Sequence, residues 1–291
     1  MGNKIRLRAF AKANLSLNIL GKDEASGLHK LDSVMMSLDK FDTLTVKERD
    51  DKQINVRFSN ADIGEDNTAK KAAKAVQAAL DCNGFDIEIE KGIPIGAGLG
   101  GSSADGAAVL RALDVLYRLP QRGVDMRKIA LSVGSDVPFM LTGGLARVSG
   151  TGDELFFIEN KLELFVVGLM ANSVSTAKAY TAFDDIYKDK KYSPSDNDKL
   201  CEKLLDGDNS ALRYFGNALY APAVKLSPEI EKNADILRSY GATVNLTGSG
   251  GMTLGYFTDI EKFAACAKAL KDCDGFCVLA PVKTGILHER I

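Results

Sequence analysis

The chain has 291 residues, 37 Lys and Arg against 39 Asp and Glu, a net charge of −2, two histidines, five cysteines and no tryptophan. A hydrophobic fraction of 45% with 26% charged residues excludes a mainly disordered chain, and the near-zero charge excludes a global field for gripping nucleic acid or an anionic membrane. With only His29 and His288, a multi-histidine metal site within the chain is excluded as well. Any phosphate must therefore be held by local geometry.

The first ten residues are rich in Lys and Arg but lack an apolar signal segment, and no stretch approaches about 18 uninterrupted apolar residues, so a cytoplasmic protein is expected. Period-two alternation predicts strands at Leu15, Leu17 and Ile19, at 44–46, at 54–58 and at Phe85, Ile87 and Ile89. Asn67 and Thr68 open a helix whose Ala72, Ala73, Val76, Ala79 and Leu80 share a face. A second helix is expected over 103–117, and Asp125 is placed to cap a third that runs to about Val133.

The apolar run 164–170 is short enough for a buried strand. Residues 184–210, dense in Asp, Lys, Asn and Ser, read as a solvated loop with short helical pieces. Ser227-Pro228 suits a cap and first helical position, 244–247 and 253–257 read as strands, Asp259 caps a helix to about Leu270, and 276–280 is a further strand. The mixed order predicts an α+β protein, with a boundary near 155–165 that divides it into 1–160 and 161–291. The five cysteines, odd in number, read as reduced thiols that are buried or incidental.

The most informative stretch is Ile93-Pro94-Ile95-Gly96-Ala97-Gly98-Leu99-Gly100-Gly101-Ser102-Ser103-Ala104-Asp105, between a strand and a helix. Glycines allow positive φ and close approach of main chain to ligand, and the following helix offers unpaired N–H groups and the positive end of its dipole. Gly96, Gly98 and Gly101 satisfy G-x-G-x-x-G, but a dinucleotide fold needs a second parallel strand directly after the helix, and here another helical pattern follows. A Walker loop needs Gly-Lys-Ser/Thr and a protein-kinase loop needs a following V-A-I-K strand; neither is present.

The segment Pro94-x-Gly96-x-Gly98-Leu99-Gly100-Gly101-Ser102-Ser103-Ala104 resembles the second motif of the GHMP kinases, the family of galactose, homoserine, mevalonate and phosphomevalonate kinases. Ala11-Lys12-Ala13-Asn14-Leu15-Ser16-Leu17 resembles the first motif of that family, and Thr247-Gly248-Ser249-Gly250-Gly251 the third. Gly27-x-His29-x-Leu31, Asp42-Thr43-Leu44, Gly134-Ser135-Asp136-Val137-Pro138-Phe139 and the run from Val174 to Tyr180 resemble the branch that acts on a cytidyl-linked alcohol. Leu28 stands where that branch usually carries an aromatic residue stacked on cytosine.

The resemblance implies a ribosomal-protein-S5-like N-terminal half and a ferredoxin-like C-terminal half, with ATP and a small-molecule alcohol as partners. It assigns the hydroxyl proton to Asp136 and the neighbouring positive charge to Lys12. The nucleotide falls to Pro94, Gly96, Gly98, Leu99, Gly100, Gly101, Ser102 and Ser103, and the acceptor to Asn14, His29, Thr176, Tyr180, Gly248, Ser249 and Gly250. Mg2+ is expected with ATP, with Ser103 the nearest side chain and Ser102 the alternative; simple helix capping is the competing role for both.

Asp136 follows a glycine able to end a helix and precedes Val137-Pro138, where the residue before proline is expected to be extended. No nucleic acid or membrane partner is expected, and a near-neutral surface allows monomer or homodimer. A homoserine or mevalonate type of kinase is the second reading. A non-catalytic nucleotide sensor is the third, disfavoured because Lys12, Asp136 and both serines occur together.

Overall fold

In the computed structural model of the chain, residues 4–23, 27 and 29–289 are described. Two long strands, β1 (Lys4–Lys22) and β2 (His29–Glu48), form one antiparallel hairpin. The sequence revealed only parts of it, for two reasons. Residues 9–19 are buried on both faces, which erases the alternation of a half-buried strand. Register shifts between Phe10 and Ala11, Asn14 and Ser16, and Ile19 and Gly21 bend the pair and break its period.

β3 (Ile54–Phe58) and β4 (Phe85–Glu90) lie parallel and are joined through α1 (Thr68–Leu80). Asn67 caps α1 as expected, its side chain accepting from Lys70 N at 2.9 Å. Next come α2 (Gly101–Tyr117), α3 (Met126–Val133) and α4 (Val137–Thr142). Asp125 caps α3 through Lys128 N at 3.0 Å. The strands β5 (Leu145–Gly150) and β6 (Glu154–Phe157) follow, β5 pairing with β2. Val137 departs from the extended shape expected before proline: it opens α4, with Pro138 in the first turn, where a missing N–H leaves no helical bond unmade.

The remaining elements are β7 (Phe165–Met170), α5 (Thr176–Tyr187), α6 (Asn197–Asp206), β8 (Gly216–Asn217), α7 (Tyr220–Leu226), α8 (Glu229–Ser239), β9 (Thr243–Leu246), β10 (Met252–Phe257), α9 (Ile260–Leu270), β11 (Phe276–Leu279) and β12 (Ile286–Glu289). The charged stretch 184–210 is thus more ordered than its composition suggests. Asp196 caps α6, whose Leu200 and Leu204 are buried, and Arg147 binds both Asp32 and Asp198. The polar residues are the solvent face of an amphipathic helix. At Ser227-Pro228 the helix begins one residue later than expected, at Glu229, with Pro228 in the cap position.

The first sheet runs β12-β1-β2-β4-β3, with β5 and β6 continuing from β2 and the short β8 parallel to β1. The second runs β11-β7-β10-β9, all antiparallel, with α8 and α9 packed on it. Strand order and connections make this a ferredoxin-like β-α-β-β-α-β unit. The mixed α+β fold is that expected, and β12 returns from the far end of the chain to pair with β1.

Helix α2 is the centre of the core. Ala104 to Leu110, Ala112 and Leu113 are all buried, and the small residues let α1, β1 and α4 approach closely. No helix among the described residues is long and apolar enough to cross a membrane. The five cysteines are free thiols, only Cys273 being exposed.

Candidate active site

β4 ends at Glu90 and α2 starts at Gly101, so the glycine segment is the turn between them. Gly96, Gly98 and Gly100 have φ of 75°, 77° and 74°, left-handed values open to glycine at little cost. Gly100 is the N-cap of α2 and provides no side-chain cap. The first helical bond runs from Ala104 N to Gly100 O at 2.9 Å, so the N–H groups of Gly101, Ser102 and Ser103 precede the helical ladder. Both serines therefore lie inside the first turn rather than at the cap. Ser102 is exposed and its hydroxyl lies 3.0 Å from that of Thr68, whereas Ser103 is half-buried.

The loop is docked on two distant segments. Lys12 N donates to Leu99 O at 2.9 Å, Met252 N to Ala97 O at 3.0 Å and the Thr247 hydroxyl to Gly98 O at 3.1 Å. A Cβ on Gly98 would stand 2.2 Å from Thr247 O, and one on Gly251 2.1 Å from Gly96 O. Glycine is thus required by the approach of the 247–251 turn as well as by any phosphate. That turn is also the hairpin between β9 and β10, with Gly248 and Gly250 at positive φ.

Lys12 is buried on β1, with its ammonium 2.6 Å from Asn14 Oδ1 and 3.5 Å from Asp136 Oδ2. At the α3–α4 corner both Ser135 and Asp136 line the cleft; Gly134 ends α3 just before them, as expected. Asn14 is buried too, its Oδ1 accepting also from Gly248 N at 2.9 Å and its Nδ2 donating to the Ser33 hydroxyl at 2.8 Å. It ties Lys12 to the 247–251 turn. Thr176, at the start of α5, has its hydroxyl 2.9 Å from that of Ser249.

Tyr180 stacks on the His29 imidazole at 4.7 Å between centroids, so one face of its ring is occupied by histidine. Burial, with a smaller contribution from the Asp136 charge, pushes the Tyr180 hydroxyl up to about 12. His29 Nε2 lies 2.9 Å from Asp184, which also binds Lys22 at 2.6 Å. Burial opposes ionisation of Asp184, but these two partners outweigh it and hold the carboxyl below its usual range. Leu28 lies outside the described residues.

Two clefts meet here. One, of about 210 Å³, is lined by residues 93–102 with Asn67, Thr68, Lys91 and Asp105. The other, of about 220 Å³, is lined by Lys12, Asn14, Asp136, Thr176, Tyr180, Gly248 and Ser249 among others. Gly98 and Gly100 belong to both walls. A larger depression of about 640 Å³, around Lys47, Arg57 and Glu88 on the outer face of the first sheet, holds none of the sequence motifs.

Of the expected residues, His29, Ser103 and Gly250 line neither cleft: His29 backs Tyr180, the Ser103 hydroxyl lies toward Gly134, and a Cβ on Gly250 would meet Val174. Sequence reasoning missed Lys91, Asp105, Ser135 and Asp184, because a charged or hydroxyl side chain gives no local sign of the cleft it reaches. Among the described residues no group of three or more His, Cys, Asp or Glu is placed to hold a metal ion.

The pattern of the GHMP kinases N terminal domain matches residues 67–144, the span that carries α1, the glycine segment, α2 and Asp136. Together with relatives matched along almost the whole chain, this defines the class: the chain belongs to the GHMP kinase family, phosphotransferases that use ATP. A 4-diphosphocytidyl-2-C-methyl-D-erythritol kinase of Caldanaerobacter subterraneus subsp. tengcongensis is 34% identical over 282 residues, which cover 95% of this chain and 96% of that protein. The kinase of the same name from Prochlorococcus marinus is 33% identical over 272 residues, covering 88% and 85%.

A crystal structure of a 4-(cytidine 5'-diphospho)-2C-methyl-D-erythritol kinase superposes with a TM-score of 0.77 at 29% identity, over 95% of this chain and 98% of that one. A homoserine kinase from Cytophaga hutchinsonii has a TM-score of 0.76 at 19% identity, over 99% and 98%, a likeness of fold alone.

Proposed function

We propose that the chain transfers the γ-phosphoryl group of ATP to a hydroxyl of 4-diphosphocytidyl-2-C-methyl-D-erythritol. The observation that carries this reading is the Lys12–Asp136 pair, 3.5 Å apart, beside two clefts that share Gly98 and Gly100. In-line transfer needs the phosphoryl donor and the hydroxyl to meet at one point, with charge neutralised and a place for the proton. Loop amides and the uncovered N-terminus of α2 suit polyphosphate on one side.

On the other side, the Asp136 carboxylate accepts the hydroxyl proton, while Lys12 orients it and offsets the charge that develops on the transferring oxygens. Asn14 holds Lys12 in place. Tyr180, neutral over the working pH range, and Thr176 line the acceptor cleft with the 247–251 turn. The whole-length similarity to kinases named for the cytidyl substrate supports that acceptor.

Mg2+ fits as an ion held mainly by the nucleotide, since the described residues offer no acidic cage and hard, hydrated Mg2+ needs few protein ligands. It would neutralise phosphate charge; both Ser102 and Ser103 stand on the first turn of α2, and of the two Ser102 is the one that lines the nucleotide cleft. A coupled ADP-release assay with 4-diphosphocytidyl-2-C-methyl-D-erythritol, homoserine and mevalonate tests the reading. Turnover of the cytidyl substrate is expected, with kcat lowered by roughly 10²–10⁴ in Asp136→Asn. Turnover of only the other two acceptors would refute the substrate, and ATP binding without any acceptor-dependent ADP would refute catalysis.

A further inference from the structure

Beside the nucleotide cleft lies a buried ionic cluster that the reaction scheme does not use. Lys91, one residue past β4, reaches Asp42 of β2 and Asp105 of α2, at 2.5 and 2.7 Å. The three side chains are 7%, 0% and 4% exposed, which makes this cluster expensive to desolvate. Asp42 spends its other oxygen on the loop: Oδ1 accepts from Gly92 N at 2.7 Å and Ile93 N at 2.8 Å. Asp105 Oδ1 is buried without a hydrogen-bond partner, so Asp105 meets Lys91 through Oδ2, while burial, with Asp42 close by, pushes its carboxyl up to about 8. Lys91 and Asp105 line the same cleft as the loop glycines.

Well-packed apolar residues would stabilise such a place as well as or better than buried ions, so stability alone does not account for the cluster. We propose that Lys91, Asp42 and Asp105 are positioning residues for the nucleotide: one ammonium ties residues 91–93, through Asp42, to helix α2, through Asp105. Both legs of the glycine loop are thereby set at the spacing at which loop amides and the α2 N-terminus converge on the same phosphates. The inference rests on the reading of this cleft as the ATP site. Between the two ties lie three glycines at positive φ, whose backbone freedom otherwise spreads the loop over more states. Apparent affinity then falls with the fraction of loops in the binding conformation.

The test is calorimetric titration of the full chain with ADP, alongside steady-state kinetics, below the melting temperature of every variant. Asp105→Leu cuts the tie to α2 and is expected to weaken ADP and raise the ATP KM by about tenfold, while the acceptor KM and the kcat at saturating ATP stay within about twofold. Asp105→Asn keeps an oxygen for Lys91 and is expected to restore near-wild-type affinity. If Asp105→Leu does not fold, Asp105→Ala, which cuts the same tie and leaves the Lys91–Asp42 pair in place, is read in the same way. Wild-type ADP affinity in the variants lacking the tie, or an equal loss in Asp105→Asn and Asp105→Leu, overturns the proposal. A wild-type chain that binds no ADP overturns the nucleotide reading itself, and the tether with it.

Discussion

Asn14→Ala tests whether the first and third motifs are coupled through one amide. The substitution removes three hydrogen bonds at a site that is 1% exposed: from Lys12 Nζ at 2.6 Å, from Gly248 N at 2.9 Å and to the Ser33 hydroxyl at 2.8 Å. Ser33 retains its bond to Ser16 O, so its loss is small, but Gly248 N is orphaned and Lys12 keeps only the longer contact with Asp136. Leaving a buried donor unpaired costs about 1–3 kcal/mol, and a bond to a charged group is worth about 1.5–3 kcal/mol.

Allowing for water entry and relaxation, a net loss of about 3 kcal/mol is expected, a fall in Tm of roughly 5–10 °C. Thermal unfolding followed by circular dichroism reads the first effect. Kinetics on the folded variant reads the second, a drop in kcat of at least about tenfold as Lys12 loses its fixed position. Asn14→Asp separates the two, because its carboxylate still accepts both bonds and draws Lys12 away from Asp136; near-normal Tm with a low kcat is expected. A Tm within 1–2 °C of wild type for Asn14→Ala, or full kcat in both variants, would refute the coupling (about the resolution of the measurement).

Gly98→Ala places a methyl 2.2 Å from Thr247 O at a φ of 77°. Strain of about 1–3 kcal/mol is expected to fall on the loop, raising the ATP KM by roughly 5- to 150-fold, and an unchanged KM would contradict the docking. Tyr256→Phe removes a fully buried hydroxyl that makes no hydrogen bond while keeping the ring packed on Phe215 at 5.0 Å. Tm should rise by about 2–4 °C, and a lower Tm would mean that the hydroxyl has a partner.

The depressed carboxyl of Asp184 stabilises the fold above its unfolded value of about 4 and loses that effect as pH falls through its lower folded value. The Tm difference between wild type and Asp184→Asn should therefore be present at pH 7 and shrink as the pH falls below the ordinary carboxylate range. A difference independent of pH would show that the ionised form is not what matters.

Helices α1, α3 and α9 were legible because Asn67, Asp125 and Asp259 cap them through backbone groups two or three residues away. The long β1–β2 hairpin was not, since burial on both faces and three register shifts leave no period to read. Helix α6 was hidden by its solvent face, although Leu200 and Leu204 are spaced four apart. In the site the glycine segment was plain from composition and order, whereas the Lys91–Asp42–Asp105 cluster joins three segments that share no local signature.

What the sequence alone determined is therefore local: which backbone positions need glycine, which residues cap helices, and that three motifs occur in family order. Tertiary structure decided that Gly98 must also make room for Thr247, that Lys12 is buried between Asn14 and Asp136, and that Tyr180 has one face covered by His29. These are contacts between segments far apart along the chain. Their distances follow from how sheets and helices pack, and no spacing within one segment encodes them.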